Sequence, residues 1–104
     1  MDERTLKKRM TDAGLSVLEG TLPERCTALE KAIQLAFGHG SHADKVTFRR
    51  LVSWVRDESQ AGRFNPNETL PRIIDFALES TCPEARNPRA VFISICKKEL
   101  GWKP

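Results

Sequence analysis

Apolar residues recur along this chain at three- and four-residue steps, the spacing that gathers them on one side of an α-helix. From about Glu3 to Leu18 the repeat is Leu6, Met10, Ala13 or Gly14, and Val17. Gly14 costs roughly 1 kcal/mol relative to alanine inside a helix, so fraying or a break is expected there. Gly20 closes this element. Thr21 and Glu24 then stand at the spacing of a capping box, which satisfies two orphan backbone N–H groups reciprocally. Leu22, Cys26, Leu29, Ile33 and Ala36 or Phe37 form the next stripe, ended by Gly38.

After the short connection His39-Gly40-Ser41-His42, Ser41 with Asp44 repeats the capping logic and opens a third helix that runs to Gln60 or Ala61. Its inward face is Val46, Phe48, Leu51, Val52 and Val55, with Trp54 at the margin and Arg49, Arg50, Arg56 and Asp57 on the other side. Gly62 terminates it. Arg63-Phe64-Asn65-Pro66-Asn67 reads as a turn-forming loop, since Asn-Pro is a strong breaker pair. Thr69 is the expected cap of a fourth helix, with Pro71 tolerated in its first turn. Ile73, Ile74, Ala77 and Leu78 form its core stripe, with Phe76 nearby, up to Ser80.

The last segment, Asn87 to Trp102, carries both of its ends in the sequence. Asn87 is the N-cap and Pro88 takes the first helical position, where a missing N–H costs nothing. Gly101 supplies the left-handed residue at the far end, and Trp102 folds back towards Cys96. Lys97 and Lys98 sit in the last turn, where cations suit the helix dipole. Val91, Phe92, Ile93, Ile95, Cys96 and Leu100 leave little polar surface, so this helix is expected at the centre of the fold.

No segment alternates apolar and polar residues over strand length, and no Asn-Gly or Asp-Gly hairpin signal occurs. The expected fold is all-α: a compact bundle of four to five short helices with no sheet, successive helices being roughly antiparallel. Residues 1–104 read as a single helical domain, with residues 1–20 as its frayed N-terminal helix.

Composition adds bounds. Hydrophobic residues at 39% and charged residues at 30% fit a globular protein rather than a disordered one. There is no apolar run long enough to cross a bilayer, and Asp2, Glu3, Arg4, Lys7 and Lys8 are too charged for a signal peptide's core. A cytoplasmic location without membrane association is the expectation. Cys26, Cys82 and Cys96 cannot all pair within one chain, which argues for reduced thiols.

The net charge is +3, and all of the excess lies beyond Gly40, where eleven Lys/Arg face eight Asp/Glu. Such an excess suits an acidic partner. Other chemistries find little support. The cysteines are scattered singly, so with His39 and His42 they lack the paired spacing that preorganises zinc. No G-x-S-x-G elbow or phosphate-cradling glycine loop occurs, so neither catalysis nor a cofactor is expected.

The run Asn87-Pro88-Arg89-Ala90-Val91-Phe92, ending Lys98-Glu99-Leu100-Gly101, resembles an Asn-Pro-initiated closing helix of some bacterial plasmid and phage replication proteins. The resemblance covers about the last fifth of the chain. It implies a bacterial or mobile-element nucleoprotein component. The strands of those families' winged-helix domains have no counterpart here, and no site residue is carried over.

The basic residues are the leading candidates. Arg49, Arg50 and Arg56 come from one helix, Arg63 from its exit, Arg86 and Arg89 from the start of the terminal helix, and Lys97 and Lys98 from its end. Together they suggest a non-enzymatic module that binds nucleic acid, or a protein of a nucleoprotein complex, with Trp54 and Phe64 available for stacking. The same residues also fit a solvated mixed-charge surface. Two further expectations stand beside these. A helix-turn-helix is disfavoured because Arg63 to Glu68 and Thr81 to Asn87 exceed its short turn. A protein–protein adaptor or inhibitor would instead use an apolar patch around Trp54, Phe64 or Trp102.

Overall fold

Side-chain caps and left-handed glycines set several of the helix boundaries among the described residues. A computed structural model describes residues 5, 8–9, 12, 15–37, 42–81 and 86–103, with only the backbone of 42–44. Four helices are bounded within them: α1 (Leu22–Phe37), α2 (His42–Gln60), α3 (Pro66–Ser80) and α4 (Pro88–Leu100). Ahead of α1, Thr5, Lys8, Arg9, Asp12, Leu15 and Ser16 are also helical, and a turn follows at Val17-Leu18. No strand occurs among the described residues, and the fold is all-α and compact, with a radius of gyration of 12.8 Å. The expected features at Leu6, Met10, Gly14, Gly38, His39, Gly40, Ser41 and Cys82 lie outside the described residues.

The expected N-caps Thr21 and Asn87 are present, but of the capping box at α1 only the Thr21 half forms among the described residues. The Glu24 N–H donates to Thr21 Oγ1 at 3.4 Å, and the Ala90 N–H donates to Asn87 Oδ1 at 3.2 Å. Gly101 is left-handed (φ 75°) and gives its N–H to the Lys97 carbonyl, which closes α4. At the end of α2, Gly62 has φ 81°, its N–H reaching the Ser59 carbonyl at 3.2 Å while Arg63 N–H reaches Glu58 at 2.9 Å. That pair of bonds is a Schellman closure, for which a left-handed glycine is the natural residue.

The start of α3 differs from expectation. Asn65, not Thr69, is the N-cap: its Oδ1 accepts the Asn67 N–H at 3.0 Å, and Pro66 occupies the first turn. Asn65-Pro66 is therefore a cap followed by a helix-initiating proline, the same chemistry as Asn87-Pro88. Thr69 is buried in the helix and Pro71 lies inside it rather than in the first turn. The connection between α2 and α3 shrinks to residues 61–65.

Packing follows the stripes. α1 lies against α2 and α3, and α3 against α4. Leu29, Ala32 and Ile33 of α1, Leu51 and Val55 of α2, and Leu70, Ile73 and Ala77 of α3 are fully buried. The rings of Phe37, Phe48 and Phe92 meet at 5.2–5.9 Å between centroids and join α1, α2 and α4. The expectation that α4 is central is corrected. Among its residues only Phe92 and Cys96 are buried, while Ile93, Ile95 and Leu100 are half-buried and Val91 is exposed. Its apolar residues spread around the helix at 100° steps, and α3 with the phenylalanine cluster covers one side. The α1–α3 pair holds the middle.

Arg25 adds a tie that joins three segments. Its Nε donates to the Val17 carbonyl at 2.5 Å and its guanidinium to Asn67 Oδ1 at 2.7 Å, fastening the N-terminal turn to the start of α3.

Replacing Phe92 with alanine should cost about 3–5 kcal/mol of unfolding free energy, from lost burial and the cavity left between three helices. Val91→Ala, on the open side of the same helix, should stay within about 0.5 kcal/mol. Asn65→Ala should cost about 1 kcal/mol. Urea denaturation midpoints measure all three.

Candidate nucleic-acid interface

The outer side of α2 follows from its sequence. With Phe48, Leu51, Val52 and Val55 turned inward, 100° steps leave Val46, Arg49, Arg50, Ser53, Trp54 and Asp57 on one continuous outer face. These six residues line a shallow, open depression of about 510 Å³. Trp54 is half-buried at its edge, held by an edge-to-face contact with Phe64 at 5.3 Å. The Schellman turn at Gly62 brings Phe64 back to Trp54.

Arg49 and Ser53 form a ridge. On their other side a second recess, of about 270 Å³, runs between α1 and α2 and includes Cys26, Thr27, Glu30 and Arg56. Arg49 Nε reaches Glu30 Oε1 at 3.3 Å, but the Arg49 side chain stays 68% exposed, so the pair is a weak surface contact. Arg50 has no hydrogen-bond or ion-pair partner among the described residues. Arg56 is half-buried and lies 3.7 Å from its neighbour Asp57.

The other candidates are dispersed. Arg63 is clasped by both carboxylate oxygens of Glu58. That partner holds the Glu58 carboxyl below its ordinary range and raises the Arg63 guanidinium above its own. Arg89 donates to the Phe37 carbonyl at 2.6 Å, closing the C-terminus of α1. Arg86 is exposed before α4, and Lys97 and Lys98 are exposed in its last turn. Arg89 and Lys98 are about 14 Å apart along the helix axis. Of the eight basic residues singled out from sequence, Arg49, Arg50 and Arg56 share a surface; the others occupy the exit of α2 and the two ends of α4.

The aromatics also divide. Trp102 is 3% exposed within the core and offers nothing to a partner, whereas Trp54 and Phe64 are half-buried against each other. Burial drives the Cys96 thiol up to about 12. It also raises Cys26, with Arg56 and Arg25 pulling the other way. Both are free thiols in the core. Among the described residues no three His, Cys, Asp or Glu side chains gather as a metal would require. No described helix is long and apolar enough to cross a membrane.

Comparison with protein-family models, with curated proteins and with solved structures gives no match to this chain.

Two pH effects follow. A carboxylate favoured in the folded state contributes stability above its unfolded pKa, and that contribution is lost as pH falls through the lower folded pKa. Glu58 should therefore titrate below the usual carboxylate range by NMR and return to it in Arg63→Ala. Cys96 has the opposite sign. Its protonated form is favoured on folding, so stability is intact below pH about 9 and drains as pH rises towards about 12. Cys96→Ala should flatten that alkaline decline in thermal melts.

Proposed function

We propose that this chain is a non-enzymatic helical bundle that binds nucleic acid, alone or within a nucleoprotein complex, through the outer face of α2. One observation carries the reading: Arg49 and Arg50, the latter without a partner among the described residues, flank Trp54 around a single open depression. Guanidinium groups suit phosphate because their planar donors match its oxygens, and an exposed ring face suits a base. Arg56 lies beside the neighbouring recess and adds a third cation to the same helix. Asp57 and Glu30 moderate this charge, which favours modest, salt-sensitive contact with the backbone over tight sequence readout.

The dispersed basic residues take secondary roles in this reading. Arg63 and Arg89 act mainly in the fold, through Glu58 and the end of α1. Arg86, Lys97 and Lys98 lie at the ends of α4 and are not among the three phosphate contacts of this reading. Cytoplasmic residence belongs to the same proposal and rests on the chain's free core thiols.

The test is an equilibrium binding titration with labelled single- and double-stranded DNA and RNA. Three phosphate contacts predict affinity that falls roughly 20- to 40-fold between 50 and 200 mM salt. Arg50→Ala should weaken binding and lower the salt slope by about 1, while Lys103→Ala should change it little. Absence of binding to every strand form at low salt overturns the proposal.

A further inference from the structure

Resting on that reading, we infer that the depression on α2 takes an unpaired base of a single strand, stacked on Trp54, with the adjoining phosphate at Arg50. The two side chains are one turn apart on the same face, about 6 Å between Cβ atoms. At that separation one side chain can meet a base while the other meets a neighbouring backbone phosphate.

The environment of Trp54 supports a stacking role. Phe64 meets it edge-to-face at 5.3 Å, which holds the indole in place while part of it stays accessible at the depression. A ring already fixed loses little entropy when a base stacks on it. Val46 contributes apolar lining, and Ser53 offers a hydroxyl for a base edge or a phosphate oxygen.

Strand form follows from the same geometry. Bases inside a duplex stack on one another and have no face free for an indole, whereas single strands can offer each base in turn. The charge along the face is also directional. Arg49 and Arg50 lie near the middle of α2, while Asp57 lies near its end with Arg56 at 3.7 Å. On this face a phosphate is thus favoured beside Arg49 and Arg50 rather than beside Asp57.

The experiment uses the full chain carrying Trp102→Phe, so that Trp54 is the remaining fluorophore. It is titrated at low salt with oligothymidylate or oligouridylate of about twelve nucleotides, and with a duplex of equal length. Single strands should quench the emission and the duplex should not. Trp54→Leu, which keeps bulk without a ring face, should weaken single-strand binding roughly tenfold or more, and Trp54→Phe should recover most of it. Circular dichroism establishes that each variant is folded. If Trp54→Leu does not fold, quenching in the Trp102→Phe chain decides the matter alone. Equal binding of both strand forms with unchanged emission overturns this inference and leaves nucleic-acid binding standing. No binding of either form overturns both.

Discussion

The meeting of Phe37, Phe48 and Phe92 is the contact on which the rest of the structure depends. α1 and α2 pack together along their lengths, and so do α3 and α4, with α1 lying across to α3. α4 reaches α2 through these rings, which hold centroid separations of 5.2–5.9 Å. Aromatic contacts of this kind combine large apolar burial with a preference for particular ring geometry, so they fix both distance and orientation. Arg89 reinforces the corner by bonding the Phe37 carbonyl. With α2 pinned inward at Phe48, the helical repeat determines which of its side chains face out.

Function in this account is a consequence of that pinning. α2 buries four residues on one side and leaves a polar, partly aromatic face on the other. Arginines across the molecule differ in how far the fold already uses them. Arg63 is engaged by Glu58, and Arg72 is spent on Glu99 at 2.9 Å and on the Phe76 ring. Arg49 is weakly held and Arg50 is not held at all among the described residues. Guanidinium groups that are exposed and uncommitted are the ones that can exchange water for a ligand at low cost.

Much of this was legible in the sequence, for local reasons. Caps, left-handed glycines and three- and four-residue spacing act within a turn or two, so α1, α2 and the two ends of α4 could be read directly from the letters. Asn65-Pro66 shows how context misleads. By its letters the dipeptide reads as a breaker, whereas the identical Asn87-Pro88 reads as a helix start, because an obvious apolar run follows only the second. The Arg25 tie was not legible, since its two partners lie 8 and 42 residues away along the chain. The expected central place of α4 fails for a similar reason, whereas the expected fold-back of Trp102 agrees with its burial. Apolar content indicates that a helix needs cover, but not how much its neighbours supply. For the site, the residue types were visible, but their separation into one shared face and several isolated positions required the packing of α2 and α4.

The central claim is that the outer face of α2 is where nucleic acid touches this protein. Amide chemical-shift mapping during titration with a short single-stranded oligonucleotide tests it most directly, because it reports position as well as binding. The account predicts that shifts concentrate between Val46 and Asp57 and extend to Phe64, with the Trp54 indole N–H among the largest. Shifts confined to the ends of α4, around Arg86 or Lys97 and Lys98, would contradict it.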